Sequence, residues 1–252
     1  VMFLGVVGRD PAGQAVLDDL DAENVDTRYV QFSQQYNTGY SVLLLAPNGE
    51  RTILTYRGAS THYHAADFTV ADIEADWLYV STLAGQMTVL DKVFREARAA
   101  GMKICFNPGK RELVQRDKLM GLLDDVEVLA LNKEEMQQLV PGDDLEQLVR
   151  RAKELVPVVL LTDGVNGSMA SDGVTIVRAA MYEDVPAIDR TGAGDAFASG
   201  FLSQWAHGAQ LKDAVVFASA NSSSVVNHIG AKTGILYQGA RLHTMPLSEK
   251  EF

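Results

Sequence analysis

Short apolar runs that alternate with helix-like segments most strongly limit how this chain can fold. Between the runs, apolar residues recur at helical spacing in Val89–Ala97, which Gly101 can cap, and again in Leu145–Leu155. Strands with two apolar faces must be covered on both sides, so the pattern predicts a mainly parallel sheet between two helical layers. The runs that we interpret as buried strands are Phe3–Val7, Trp77–Val80, Ile104–Phe106, Val126–Leu131 and Val158–Leu161.

Two segments interrupt this alternation and have the pattern of β-hairpins. Tyr40–Ala46 and Arg51–Tyr56 flank the dipeptide Asn48-Gly49, which favours a tight hairpin turn. A second pair of short runs flanks Asp172-Gly173 in the same way. The first hairpin is either a small sheet that stands off the main one as a lid or an ordinary edge hairpin, and the pattern alone leaves both open.

Composition limits the partners that this chain can have. Its 252 residues, 47% of them hydrophobic, suffice for one large α/β domain, so we expect a single domain over residues 1–252. The formal charge of −11 argues against a nucleic-acid partner. No apolar run approaches the ~18 residues of a membrane span, so we expect no membrane partner. The only cysteine, Cys105, indicates a reducing compartment, and we expect a cytoplasmic protein.

The segment Asp189–Phe201, which reads D-R-T-G-A-G-D-A-F-A-S-G-F, is the most informative motif. Phe197, Phe201 and Trp205 follow at helical spacing and predict a helix with a buried aromatic stripe. Asp195 therefore lies at or just before the first turn of that helix.

The residues in front of Asp195 are small and suit an anion site. Gly192, Ala193 and Gly194 allow backbone N–H groups to converge on one point, and the helix dipole favours negative charge there. A carboxylate at such a site can accept a hydroxyl proton while the amides hold a transferring phosphoryl group. Without further context, Asp195 fits equally well as a helix N-cap.

This motif resembles the signature D-T-x-G-A-G-D-x-F-x-x-G-F/L of the ribokinase-like, or PfkB, carbohydrate kinase family, and the resemblance extends over about residues 4–233. It implies a ribokinase-like three-layer α/β/α sandwich with a mainly parallel sheet and a small β lid within residues 28–60. It also implies an activity: the protein would transfer the γ-phosphoryl group of ATP, with Mg²⁺, to a primary hydroxyl of a sugar or sugar-like molecule. Asp195 would be the base in this reaction. The alternatives are a nucleoside kinase of the same family and a noncatalytic ligand-binding relative.

Two further segments resemble nucleotide motifs of that family. Asn132 and Glu135 match its N-x-x-E motif, which implies Mg²⁺ and phosphate binding, with Glu135 acting on Mg²⁺ through water. Judged from the residues alone, the same pair forms a helix capping box, and the two roles are compatible. Thr162, Gly164 and Gly167 match the T-x-G-x-x-G nucleotide loop, although Gly167 also fits a simple turn into the second hairpin.

The segment Ala218–Asn227 is rich in small residues, which suits a helix that packs beside a nucleotide. The resemblance implies that Asn227 and its surroundings border the adenine. It also implies a monovalent cation such as K⁺ near the carboxylate of Asp189.

Candidate substrate residues are fewer. Asn107 begins N-P-G-K-R, which resembles a segment near the phosphates and substrate, and Thr38 and Gly58 resemble positions at the substrate pocket or lid. Asp10, in G-R-D-P-A-G, is predicted as a helix N-cap.

Two expectations concern regions outside these motifs. The family has an additional N-terminal segment with substrate-reading residues, and we expect it to be missing because the sequence starts abruptly inside an apolar run at Val1. We also expect a homodimer formed through the lid.

Overall fold

The computed structural model describes residues 1–45, 51–180, 187–242 and 244–252. In its first part the elements are β1 Gly5–Gly8, α1 Pro11–Ala22, β2 Val30–Ser33, β3 Tyr40–Leu45 and β4 Arg51–Tyr56. The following elements are β5 Trp77–Val80, α2 Met87–Ala99, β6 Lys103–Phe106, α3 Lys110–Leu113, α4 Arg116–Met120, β7 Val128–Asn132, α5 Lys133–Leu139, α6 Leu145–Ala152 and β8 Val158–Thr162. The last are β9 Ser168–Ser171, β10 Thr175–Ala179, α7 Ala193–Trp205, α8 Leu211–Val226 and β11 Leu247–Glu251.

Among the described residues, the central sheet has seven strands in the order β11-β10-β9-β8-β7-β6-β5. β5 to β8 are parallel neighbours, whereas β9, β10 and β11 add to β8 as antiparallel strands. The predicted α/β sandwich around a mainly parallel sheet is confirmed. Parallel strands all end at the same edge, so the loops after β5 to β8 are brought together there.

Helices cover both faces of this sheet because strand side chains alternate between them. Ile104 and Phe106 of β6 belong to the core that contains α2, α5 and α6. Cys105, between them, belongs to the opposite core with α7 and α8. This alternation separates the two apolar cores and gives the three predicted layers.

The predicted strand Phe3–Val7 lies elsewhere than the pattern suggested. Its observed counterpart, Gly5–Gly8, pairs in parallel with Val30–Ser33 in a separate two-stranded sheet and does not join the central one. The apolar run identified a strand but carried no information about its neighbour. Hydrogen bonding to a distant segment decided that pairing.

The two predicted hairpins take different positions. The second joins the central sheet through β9 and β10. The first forms its own two-stranded sheet from β3 and β4, so the edge-hairpin alternative is wrong. Its predicted turn at Asn48-Gly49 lies outside the described residues.

Candidate active site

The start of α7 depends on a glycine in the left-handed region. Gly192 is the N-cap, with φ +80°, and a Cβ atom there would lie 2.0 Å from the carbonyl oxygen of Ala231. The helix begins at Ala193, which puts Asp195 in its first turn. The alternative that Asp195 is the N-cap is therefore wrong.

Asp195 and the amides beside it have unused hydrogen-bonding capacity. Within the described ranges, the carboxylate of Asp195 accepts no hydrogen bond, and the N–H groups of Gly194 and Asp195 find no acceptor. Asp195 keeps an exposed surface. Nevertheless, the surrounding protein displaces water from the carboxylate, and this desolvation raises the pKa of Asp195.

Asp189 ties the same turn to the loop after α8. Its side chain is 1% exposed. Oδ1 accepts hydrogen bonds from the N–H and hydroxyl of Thr191 at 2.9 and 2.6 Å, and Oδ2 accepts one from the N–H of Gly230 at 3.1 Å. The carboxylate therefore holds the turn before α7 against the 227–231 loop.

A cavity of about 350 Å³ surrounds Asp195. The carboxyl ends of β6, β7 and β8 and the start of α7 form its walls, since the parallel strands end at one edge of the sheet. The structure thus brings together residues that are far apart in sequence. The predicted site residues that line this cavity are Asn107, Asn132, Glu135, Thr162, Gly192, Ala193, Gly194 and Asp195.

A second cavity of about 320 Å³ adjoins the first, and both are lined by Thr162, Arg190, Ala193, Gly194 and Phe197. One wall is the turn after β8, with the predicted residues Gly164 and Gly167. Small side chains of α8 form the opposite wall, as the sequence suggested, namely Ser219, Ser222, Ser223 and Val226. Asn227 is the C-cap of α8 and is not among the described residues that line this cavity.

Asn132 and Glu135 form the predicted capping box at the start of α5. The Oδ1 atom of Asn132 accepts a hydrogen bond from the N–H of Glu135 at 2.9 Å, and Oε2 of Glu135 accepts one from the N–H of Asn132 at 3.1 Å. Burial raises the pKa of Glu135. The capping role is confirmed, and the pair also faces the cavity that contains Asp195.

Asn107 is held rigidly at the edge of the sheet. Its backbone N–H donates to the carbonyl of Val80 at 2.8 Å, and its Nδ2 donates to the carbonyl of Ala130 at 2.6 Å. The residue therefore bridges the ends of β5 and β7 while lining the cavity.

Thr38 and Gly58 lie at the base of the β3–β4 hairpin. The Thr38 hydroxyl donates to Oδ1 of Asp10 at 2.7 Å and accepts a hydrogen bond from the N–H of Gly8 at 2.8 Å. Asp10 also caps α1 as predicted, through Gly13, and the Thr38 hydroxyl is the largest cause that lowers its pKa. Among the described residues, neither Thr38 nor Gly58 lines the two cavities.

Arg190 is the residue at this site that the sequence analysis did not single out. It lines both cavities, between Asp189 and Thr191 of the motif. Its position inside the motif was the available signal, but its charge could not be distinguished from that of an ordinary loop arginine.

A model of the pfkB family of carbohydrate kinases matches residues 1–236. The chain is a member of the pfkB carbohydrate kinase family. This pfkB-family kinase is 28% identical over 239 residues to the ribokinase of Bacillus subtilis, with 93% of this chain and 78% of that protein covered.

Solved structures with the same fold include kinases for different acceptors. A putative ribokinase II from E. coli in complex with ATP and Mg²⁺ matches with a TM-score of 0.82 and 21% identity, over 93% of this chain and 79% of that one. A nucleoside kinase from Burkholderia thailandensis in complex with inosine matches with a TM-score of 0.76 and 20% identity, over 92% of this chain and 76% of that one. These likenesses confirm the ribokinase-like fold.

Membership confirms the family resemblance of the motif Asp189–Phe201. The pfkB-family kinase thus belongs to the group of sugar and nucleoside kinases of the ribokinase type. In the part of the chain that the structure describes, no helix is both long and apolar enough to cross a bilayer.

Proposed function

We propose that this protein transfers the γ-phosphoryl group of ATP to a primary hydroxyl of a sugar or sugar-like molecule. The observation that carries the proposal is the carboxylate of Asp195, which accepts no hydrogen bond among the described residues and lies beside unpaired helix N-terminal amides. A carboxylate and amides in this arrangement suit deprotonation of an alcohol next to a phosphoryl group.

Asp195 acts as the general base of this reaction. As the acceptor oxygen bonds to the γ-phosphorus, the bond from that phosphorus to the β–γ bridging oxygen breaks, ADP leaves, and the hydroxyl proton passes to Asp195. Desolvation of Asp195 makes its anion a stronger proton acceptor than an exposed aspartate. The amides of Gly192, Ala193, Gly194 and Asp195 stabilise the negative charge on the transferring group.

The two adjoining cavities suit the two ends of ATP. In this arrangement the adenosine lies between the turn at Gly164–Gly167 and α8, near Asn227, and Thr162 lies where the cavities meet. The phosphates extend toward the start of α7, where amides and the helix dipole favour anions. The E. coli relative solved with ATP and Mg²⁺ supports this choice of donor.

Mg²⁺ fits the oxygen-rich wall formed by Asn132 and Glu135. The carboxylate of Glu135 lines the cavity beside Asn132, where it is placed to hold water bound to a magnesium ion. Mg²⁺ retains several waters in most protein sites, which suits this indirect contact. When bound, the ion neutralises phosphate charge during transfer.

A monovalent cation such as K⁺ is part of the proposal. The carboxylate of Asp189 is buried and accepts a hydrogen bond from the N–H of Gly230, and we place the cation where this carboxylate meets the 227–231 loop. Activity is expected to be higher in KCl than in LiCl at equal ionic strength. Equal activity in both salts would contradict the proposed monovalent cation site.

We propose that the β3–β4 hairpin is a lid and that a second copy of the chain covers it in a homodimer. One face carries Tyr40, Val42, Leu54 and Tyr56, which are between 44% and 63% exposed. The pairs Tyr40–Tyr56 and Val42–Leu54 lie directly across the two strands. An isolated hairpin with an uncovered apolar face gains stability when a partner buries it.

We further propose that the protein works in the cytoplasm as one domain over residues 1–252. Its sole cysteine, Cys105, is buried in the core and cannot form an intrachain disulfide. Fluorescence microscopy of the protein in its native host tests this location.

The acceptor is a sugar in the main proposal and a nucleoside in the second, which is supported by the relative solved with inosine. A coupled assay of ADP release against a panel of sugars and nucleosides separates the two. Measurable turnover with at least one sugar is expected. Turnover only with nucleosides would select the second proposal, and ATP binding without ADP release would favour a noncatalytic relative.

A further inference from the structure

Glu112 on α3 is a buried carboxylate that the proposed reaction does not use. It is 0% exposed, and no basic side chain in the described part of the chain forms an ion pair with it. A buried charge of this kind is costly unless hydrogen bonds compensate for it. Four hydrogen bonds compensate for it here. Oε1 accepts from the N–H of Leu83 at 2.9 Å and from the N–H of Gly85 at 2.7 Å. Oε2 accepts from the hydroxyl of Thr82 at 2.8 Å and from the N–H of Gly109 at 3.1 Å.

These donors belong to two different loops at the same edge of the sheet. Three of them follow β5, and Gly109 follows β6. The loops are in contact, because a Cβ atom on Gly109 would lie 2.9 Å from the hydroxyl oxygen of Thr82. One carboxylate therefore fastens the loop after β5 to the loop after β6.

The loop after β5 has a backbone shape that needs such support. Ala84 has φ +57° and Gly85 has φ +78°, so two successive residues are in the left-handed region. Alanine adopts this conformation only at a cost in free energy, which the surroundings must compensate. The two bonds to Oε1 of Glu112 flank Ala84 and hold the turn in this shape.

The second loop leads directly to the site. Asn107 precedes Gly109 by two residues and lines the cavity with Asp195. Lys110 lies in the first turn of α3, directly after Gly109. Because Glu112 bonds the N–H of Gly109, it restrains the chain between Asn107 and Lys110.

We infer that Glu112 is a positioning residue for the cavity that contains Asp195, where the acceptor hydroxyl must lie, and that it acts through Asn107 and the loop after β5. The inference rests on the proposed kinase function. Among the described contacts, Glu112 bonds no residue that lines the second cavity, where we place the adenosine. Nucleotide affinity and acceptor use should therefore respond differently to its loss.

The test is Glu112→Gln, which keeps the size of the side chain but replaces one accepting oxygen by an NH₂ group. Two of the four donors lose their acceptor. We expect kcat/KM for the best acceptor to fall about tenfold or more, as for a lost hydrogen bond to a charged group. The Kd of ADP, measured by calorimetry, should change by less than about twofold. Glu154→Gln, at an exposed position, is the matched control and should change neither quantity.

A second variant and a second measurement guard against misfolding and against failure of the kinase proposal. Thr82→Val removes one donor without touching the carboxylate, and we expect a smaller loss of kcat/KM in the same direction. Hydrogen exchange should become faster at the amides of Leu83, Gly85 and Gly109 in Glu112→Gln, while the turn at Gly164–Gly167 keeps its protection.

Each outcome decides the inference. Unchanged kcat/KM in Glu112→Gln would overturn it, as would a loss of ADP affinity as large as the loss of acceptor use. If the wild-type protein releases no ADP with any acceptor, the kinase proposal fails. Hydrogen exchange then decides alone: faster exchange confined to the two loops supports the positioning role, and unchanged or uniformly faster exchange overturns it.

Discussion

Gly192 and Ala231 approach each other so closely that a Cβ atom on Gly192 would lie 2.0 Å from the carbonyl oxygen of Ala231. Gly192 also has φ +80° at the N-cap of α7. This contact sets the direction in which α7 starts and therefore the direction in which Asp195 points. The glycine is required for two physical reasons, the left-handed backbone and the absence of space for a side chain.

Gly192→Ala is therefore expected to destabilise the protein by about 1–3 kcal/mol and to abolish most activity, because the start of α7 must shift. Gly194→Ala is the matched control for stability. Nothing lies within 4 Å of a Cβ atom at Gly194, and alanine in a helix is favoured over glycine by about 0.5–1 kcal/mol. Denaturant unfolding of both variants measures these changes, and equal stabilities would contradict the role given to Gly192.

Asp195→Asn should lower kcat by about 10²–10⁴-fold, since the amide cannot accept the hydroxyl proton. The fold should persist, because the carboxylate of Asp195 makes no hydrogen bond among the described residues. ADP release and thermal unfolding provide the two measurements. Asp213→Asn, on the exposed first turn of α8, should retain activity. If Asp195→Asn turns over substrate as fast as the wild type, Asp195 is not the base.

The pH dependence of kcat/KM should show an acid limb at a higher pH than an ordinary aspartate would give, because desolvation raises the pKa of Asp195. The base works as an anion, so activity falls as the pH falls through that raised pKa. Burial also raises the pKa of Glu135, and Glu135→Gln tests which group sets the limb. The acid limb should persist in Glu135→Gln. If the limb disappears in that variant, Glu135 and not Asp195 sets it.

The same raised pKa has a consequence for stability. The folded protein holds the proton of Asp195 more tightly than the unfolded chain does, so ionisation of Asp195 opposes folding as the pH rises above its unfolded pKa. Asp195→Asn should therefore have a Tm equal to the wild type at low pH and higher than it at neutral pH. A lower Tm of the variant at neutral pH would contradict this sign.

Two substitutions of Asn132 separate its capping role from a role at the phosphates. Asn132→Ala should destabilise the protein by about 0.5–2 kcal/mol, since it removes the cap of α5. Asn132→Asp keeps a good cap and should retain stability, yet a second negative charge beside Glu135 should raise the KM of ATP. If both variants lose stability equally and Asn132→Asp keeps its KM, Asn132 is a cap alone.

The proposed dimer is tested on the apolar face of the hairpin. Leu54→Arg puts a charge at a position that is 57% exposed and directly opposite Val42, and it should convert the dimer to a monomer. Thr55→Arg points to the other face and should leave the dimer intact. Analytical ultracentrifugation distinguishes the two states, and a monomeric wild-type protein would reject the dimer.

Much of the site was predictable because its residues lie in local motifs. The aromatic stripe Phe197–Phe201 placed Asp195 near the start of a helix, and the capping box of Asn132 and Glu135 could be recognised from their spacing. The exact N-cap of α7 could not be predicted, since both Gly192 and Asp195 are residue types that begin helices. The contact with Ala231, far along the chain, decided it.

Other features of the fold and of the site depended on contacts between distant segments, which no local sequence pattern encodes. The run Phe3–Val7 predicted a strand, but only hydrogen bonding to Val30–Ser33 determined its sheet. Thr38 stays a predicted substrate residue, and only the structure showed that its hydroxyl is bonded to Asp10, 28 positions earlier. Three of the four bonds to Glu112 come from residues 27 to 30 positions earlier and have no counterpart in the linear sequence, whereas the bond from Gly109 is local.

The sequence by itself determined the alternation of strands and helices and the glycine-rich turn before Asp195, and the family resemblance of the motif made Asp195 the candidate base. The first two features follow from spacing and residue type, which act over a few positions. Only the tertiary structure decided that Gly192 begins α7, that Asn107, Glu135 and Asp195 share one cavity, and that Asp195 has a raised pKa. These properties arise from close packing and exclusion of water between distant segments, which a linear pattern does not specify.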